Sequence, residues 1–173
     1  MEVWELYDKD LVNTHKIISC KEEVPAGYYH LSIEVWIINS KKELLLLKNA
    51  MDYSIRYPGS WNCIGGNLQA GESIEKAVKR IIKKRIGTII KMKENIIIKP
   101  PVKRDPHKYA YITCIFSYDI DLSSIKFEDE KSTEAKFVDK DELIKMCKNG
   151  ELAYYLVNRI ENEIIEHLSW KAI

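Results

Sequence analysis

The sequence predicts an α+β sandwich. Three observations carry that expectation: short β-prone runs fill the first third, one amphipathic helical segment sits in the middle, and more strands and two helical segments follow. No repeat, low-complexity tract or linker interrupts this order. A chain of 173 residues with 46% hydrophobic content can bury one substantial core, so a single domain over 1–173 is expected.

The elements follow in order. VWELYD, THKIISC, HLSIEVWII and ELLLLK read as strands because β-branched, aromatic and aliphatic residues dominate them, and DKD, PAG and NSKK separate them as turns. In HLSIEVWII the two-residue period puts Leu31, Ile33, Val35 and Ile37 on a core face and Ser32, Glu34 and Trp36 on a working face. A Tyr-, Pro- and Gly-bearing loop over 49–59 leads to WNCI, and Gly65 to Gly87 reads as a turn followed by a helix. Ser73 is its expected cap, Gly87 its stop, and Ile74, Ala77, Val78, Ile81 and Ile82 form its apolar stripe. NIIIKPPVK, YAYITCIFSY and AKFV are the later strands. DKDELIKMCKNG and a longer segment over 152–168, apolar at 152, 156, 160, 164 and 168, are the closing helices.

Composition excludes several functions. The 27 basic and 26 acidic side chains nearly cancel, so no global field draws the chain to nucleic acid or an anionic membrane. Cys20, Cys63, Cys114 and Cys147 are widely spaced, which suits neither a zinc ribbon nor a disulfide scaffold; with no signal-like start and no long apolar run, a reduced, cytoplasmic setting is expected.

Positive charge is dense on the central helix, at Lys76, Lys79, Arg80, Lys83, Lys84 and Arg85. Gly66, Glu72, Arg80 and Gly87 stand at intervals of five, seven and six residues, and this frame resembles the Nudix box. YHLSIEVWIINSKKELLLLKN, PGSW, GES and STEAKFVDKDEL are similar to segments of the Nudix branch that contains isopentenyl-diphosphate isomerase. The resemblance implies a Nudix-type α/β/α sandwich with a mixed sheet, a Nudix helix over about 73–86, and a pocket for a diphosphate-bearing molecule.

The departures are equally specific. Family members with hydrolase activity carry three glutamates after the arginine, converging on one helical arc to hold Mg²⁺ or Mn²⁺. Those positions here are Ile81, Lys84 and Arg85. A divalent cation about 5 Å from one such side chain is opposed by roughly 7 kcal/mol at an effective dielectric of about 20, so no metal is expected there. Cations beside a glycine turn instead suit phosphate oxygens directly. Lys84 and Arg85 would otherwise reach solvent or pair with Glu34 or Glu72. The isomerase's Cys-Gly-His-Pro stretch is replaced by Gly65, Gly66, Asn67 and Leu68, so isomerase activity is not expected, and His30 reads as a strand-end residue.

The expected phosphate-binding set is therefore Lys48, Arg80, Lys84 and Arg85 with Trp61; Lys48 matches a family arginine that faces substrate phosphate. Tyr53 and Tyr57 lie in the loop near the pocket mouth, and the basic run over 99–108 forms a possible phosphate-capturing rim. The leading expectation is recognition of a small phosphorylated ligand, such as a nucleoside diphosphate derivative, with metal-dependent hydrolysis weak or lost and no cofactor. One alternative is an active pyrophosphohydrolase using Mg²⁺ or Mn²⁺ through Glu72, Glu130 or Glu134, with Glu128 to Glu134 rebuilding a metal site. Another is a protein-interaction module using a C-terminal helix with exposed Tyr154 or Tyr155. A homodimer through that helix or the first strand is compatible with the sequence.

Overall fold

The computed structural model describes residues 1–91 and 96–169. The strands are β1 (Val3–Tyr7), β2 (Asn13–Ser19), β3 (His30–Ile38), β4 (Leu44–Asn49), β5 (Trp61–Asn62), β6 (Ile64–Asn67), β7 (Ile97–Ile98), β8 (Val102–Arg104), β9 (Tyr109–Ser117) and β10 (Ser132–Val138). The helices are α1 (Ile74–Ile86), α2 (Lys140–Asn149) and the short α3 (Leu156–Arg159). β1 and β2 form a hairpin joined to the rest at Tyr7 and Tyr29. The main sheet runs β10-β4-β3-β9-β7 and is mixed because β3 and β9 pair in parallel from His30 with Tyr109 to Ile38 with Ser117.

The period-two alternation of β3 is observed, but of the expected working face only Ser32 and Glu34 line the cleft, while Trp36 is fully buried in a second core. Leu31, Ile33, Val35 and Ile37 pack with Ala77, Val78, Ile81 and Ile82 of α1. Trp36 and Ile38 pack with Leu143 and Met146 of α2 and with Leu156. The four consecutive leucines of β4 divide in the same way, Leu45 and Leu47 to the first layer and Leu44 and Leu46 to the second. A strand covered on both faces reads as a continuous apolar run. The observed architecture is thus helix, sheet, helix.

Helix α1 begins where Ser73 Oγ accepts from the Lys76 N–H and ends at Gly87, whose left-handed backbone (φ 68°) a side chain would strain. Three other expectations need correction. Gly65 to Asn67 is strand, because it pairs antiparallel with Ser32 to Glu34, and the turn comes after it. The run NIIIKPPVK splits into β7 and β8 at Pro100 and Pro101, which have no N–H for a ladder; Asn95 lies outside the described residues. The segment over 152–168 is not one α-helix: α3 passes into a π-helical turn (Ile160–Ile164) and a 3₁₀ turn (Ile165–Leu168). Its apolar residues recur every four, a step that overshoots one α-helical turn by about 40°. A wider turn brings Leu156, Ile160, Ile164 and Leu168 back to one side, where all four are buried.

The α1 layer sits close against β6. A methyl group on Gly66 would stand 2.8 Å from Ile81 Cγ1. Gly66→Ala is expected to destabilise the fold by about 1–3 kcal/mol, read as a lower urea midpoint with unchanged slope.

Candidate functional site

The site arises because β3 and β4 separate. They pair only at Ile38 and Leu44, after which β5 stays with β4 and β6 stays with β3. The divergence opens a cleft of about 510 Å³. One end is aromatic, formed by Trp4, His30, Tyr109 and His107. The middle holds Ser32, Gly65, Gly66, Asn67 and Arg85, and the far part holds Glu34, Asn62, Cys63, Arg56, Tyr57 and Tyr155. Arg104 also lines it. A smaller cavity of about 100 Å³ shares Gly65, Gly66, Asn67 and Arg85 and adds Glu2, Arg80, Lys84, Asp129 and Lys131.

The aromatic end is a stack. Trp4 lies 4.2 Å from His30, nearly parallel to it, and Tyr109 stands 6.0 Å from His30 and 6.1 Å from His107. Burial holds the His30 pKa down to about 4, and its Nδ1 has no hydrogen-bond partner. The ring is neutral near pH 7.

Each expected phosphate ligand has a definite place. Arg85 points into both cavities, but its Nη1 donates to Asp129 Oδ2 and its Nη2 to Ser132 Oγ, both at 3.1 Å, while its buried Nε has no partner. Neither Glu34 nor Glu72 is its mate. The acidic loop does reach α1, through Asp129, and Glu128 and Glu130 remain exposed. Arg80 is clamped on Glu72 through Nε at 2.8 Å and Nη2 at 2.7 Å, and it also donates to the Asn67 carbonyl. This contact lowers the Glu72 carboxyl pKa below its ordinary value. Lys84 is exposed at the small cavity, and Ile81 is buried in the core.

Lys48 and Trp61 stand outside both cavities. Lys48 donates to Glu134 Oε1 at 3.0 Å, and its ammonium, with that of Lys136, covers the Trp61 ring at 5.7 and 4.7 Å. The reason is register: Lys48 pairs with Glu134 and Trp61 across β10, β4 and β5, which places all three on one patch. Tyr53 is exposed, whereas Tyr57 lines the cleft. Tyr154 is exposed as expected, but Tyr155 is not: its hydroxyl donates to Asn62 Oδ1 at 2.7 Å within the cleft wall.

Sequence reasoning missed the polar floor. Arg159 is 3% exposed, its Nε lies 2.7 Å from Glu34 Oε2, and its guanidinium sits 3.7 Å from the Tyr111 ring centre and 4.7 Å from that of Tyr155. Burial raises the Glu34 pKa to about 7, against the opposing pull of Arg159. Two signals existed: Glu34 is the one acidic residue of β3, flanked by Ile33 and Val35, and Arg159 falls three residues after Leu156, beside the buried stripe. Nearby, Glu163 accepts from Thr113 Oγ1 at 3.0 Å.

The family's metal positions do not fit a divalent cation. One is an apolar core residue, one an exposed ammonium and one a guanidinium already paired. Among the described residues no group of three or more His, Cys, Asp or Glu side chains is placed to hold a metal ion. No helix among them is long and apolar enough to cross a membrane.

A NUDIX domain matches residues 28–158, which contain the cleft strands and α1. The chain belongs to the Nudix family. An uncharacterized Nudix hydrolase of Listeria monocytogenes is 28% identical over 94% of this chain and 95% of its own length. The ADP-ribose pyrophosphatase of Methanocaldococcus jannaschii is 30% identical over 72% of this chain and 71% of its own. Likeness to isopentenyl-diphosphate Delta-isomerase of Escherichia coli is narrower than the motifs implied, 37% identity over 39% of this chain and 37% of the isomerase. The fold matches the crystal structure of DR0079 from Deinococcus radiodurans (TM-score 0.69, 17% identity, 91% of this chain and 98% of that one). It also matches the NUDIX domain of Shewanella oneidensis NrtR in complex with ADP ribose (TM-score 0.58, 12% identity, 85% and 94%).

His30 and Glu34 impose opposite pH dependences on stability. His30, depressed from 6.5 to about 4, binds its proton more readily when unfolded, so its contribution is complete above pH 6.5 and lost as pH falls toward 4. Glu34, raised from 4.5 to about 7, binds its proton more readily when folded, so its contribution is complete below pH 4.5 and lost as pH rises toward 7. Their effects offset one another between 4.5 and 6.5. His30→Gln is expected to remove the rising limb, so that its urea midpoint, relative to wild type, declines as pH increases through that window.

Proposed function

We propose that this Nudix protein binds a nucleoside diphosphate derivative in the cleft between β3, β5 and β6, with metal-dependent hydrolysis weak or absent. The observation that carries this reading is charge: Arg56 and Arg104 line a cavity whose one acidic lining residue among the described residues, Glu34, is paired with Arg159, and Arg85 lines it while bonded to Asp129. Arg56 and Arg104 line the cleft and are suited to phosphate oxygens. The Trp4, His30, Tyr109 and His107 wall offers a face for an aromatic base. Kinship with an ADP-ribose pyrophosphatase makes ADP-ribose the first ligand to test.

The two cavities divide the ligand. Gly65, Gly66 and Arg85 line both cavities, and a diphosphate would lie beside them. Two of the candidate glutamates are engaged, Glu72 by Arg80 and Glu134 by Lys48, while Glu128 and Glu130 are exposed and Asp129 pairs with Arg85. A cationic site of this kind holds phosphate without supplying a Lewis acid or a base.

Isothermal titration with ADP-ribose in EDTA is expected to give saturable binding that added Mg²⁺ leaves within twofold. Arg104→Ala should weaken it about tenfold or more, because a charge-assisted contact is lost. Obligatory Mg²⁺ or Mn²⁺, with release of AMP, would instead identify a hydrolase using a different carboxylate set.

A further inference from the structure

The loop over 50–60 joins β4 to β5, and its second half returns to the cleft. Backbone bonds close its base: the Asn49 N–H donates to the Ser60 carbonyl at 2.9 Å, the Gly59 N–H to the Ala50 carbonyl at 3.2 Å, and the Ala50 N–H to the Lys131 carbonyl at 3.0 Å. Within the loop, Arg56 and Tyr57 line the cleft, whereas Met51 and Tyr53 are exposed.

The backbone at Tyr57 runs against its local preference. Its φ of 57° lies in the left-handed region, which is costly for a bulky side chain, and Pro58 after it favours an extended conformation instead. Such a conformation persists only where its surroundings enforce it. The enforcing group is the side chain of Asn49, whose Nδ2 donates to the Arg56 carbonyl at 3.2 Å and to the Tyr57 carbonyl at 3.0 Å. Those oxygens belong to the peptide units on either side of the Tyr57 Cα, so the two bonds together fix both dihedral angles of that residue. Asn49 is 5% exposed and continues the alternate row of Leu45 and Leu47 at the end of β4. A buried amide at the end of an apolar row is there for its hydrogen bonds.

The enforced backbone places side chains. The Tyr57 ring lies 5.4 Å from that of Tyr155, and the Arg56 guanidinium carbon lies 5.9 Å from the Tyr57 ring centre, so Tyr155, Tyr57 and Arg56 follow one another along the cleft wall. A Tyr57 released to negative φ would turn the chain on both sides of it and carry Arg56 away.

We propose that Asn49 is a positioning residue: by holding Tyr57 in the left-handed region it keeps Arg56 at the cleft, where Arg56 meets the phosphate of the bound ligand. The phosphate contact rests on the nucleoside diphosphate reading above; the hold on the loop does not.

Asn49→Asp and Asn49→Leu remove the donors and nearly keep the size of the side chain. The hold is read without ligand by trypsin, which cuts after Arg56, with the products quantified by mass spectrometry. Cleavage there is expected to rise about fivefold or more in both variants, while cleavage after Lys21, exposed between β2 and β3, stays within about twofold of wild type. Equal rates at Arg56 in wild type and variants overturn the proposal, and so does a parallel rise at Lys21, which marks general loosening. Should Asn49→Asp fail to fold, Asn49→Leu carries the comparison.

Titration with ADP-ribose in EDTA shows whether the hold reaches the ligand. Either variant is expected to weaken binding about fivefold or more, yet to change the affinity of Arg56→Ala by less than about twofold, because the contact it supports is already gone. Additive losses overturn the proposal, since Asn49 then acts by a route other than Arg56. A wild type that does not bind ADP-ribose defeats the nucleoside diphosphate reading instead, and the trypsin comparison still decides the role of Asn49 in the loop.

Discussion

Everything at the site depends on one constraint: β3 and β4 are neighbours at a single residue pair and then diverge. Both strands must keep two covered faces, because Leu44 to Leu47 and the alternating residues of β3 supply apolar side chains in both directions. The sheet therefore cannot simply fray. β5 and β6 enter the gap, each satisfying one neighbour's ladder, and the space left between them is lined by backbone and polar side chains. Gly65 and Gly66 matter for the same reason. Any side chain at Gly66 meets Ile81, so the close seating of α1 and the openness of the cleft are two results of one pair of glycines.

The charge of the α1 arc follows a different logic from the helix itself. Ile81 has moved to the apolar layer, and its burial tightens the contact with β6. Arg85 keeps its place at the cleft and recruits Asp129 from the loop before β10, which draws that loop against the end of α1; the Lys126 N–H donating to the Ile86 carbonyl closes the same junction. Arg80 and Glu72 form a second clamp, between the helix and the turn that precedes it. Both pairs are largely shielded from solvent, and removing one partner of such a pair leaves a charge whose desolvation is uncompensated. Cations on this helix thus tie loops down as well as presenting positive charge to the cleft.

Much of this was legible in the sequence, for identifiable reasons. The apolar period of α1, its serine and glycine caps, and the alternation of β3 are local signals, and they appear where expected. What was not legible depends on register between distant segments. Lys48 looks like a phosphate ligand until β10 places Glu134 opposite it. Asp129 is one of several acidic loop residues, and only the path of the loop selects it. The π-helical turn reverses the simplest reading of an i, i+4 stripe, and Arg159, at the end of α3, pairs with Glu34 more than a hundred residues away.

Glu34 and Arg159 form the most deeply buried ion pair among the described residues. A buried ion pair is an inefficient way to stabilise a fold, since two apolar side chains of similar volume commonly serve as well or better. β3 contains apolar residues on both sides of Glu34, and the strand would accept another. Burial raises the Glu34 carboxyl pKa to about 7 even though Arg159 draws it down. Such a cost is hard to attribute to packing, because Tyr111 and Tyr155 already hold the guanidinium from its two faces and would pack equally against a neutral side chain. The pair instead ties α3 to β3 beneath the cleft, where Arg159 Nη1 also donates to the Tyr155 carbonyl at 2.8 Å.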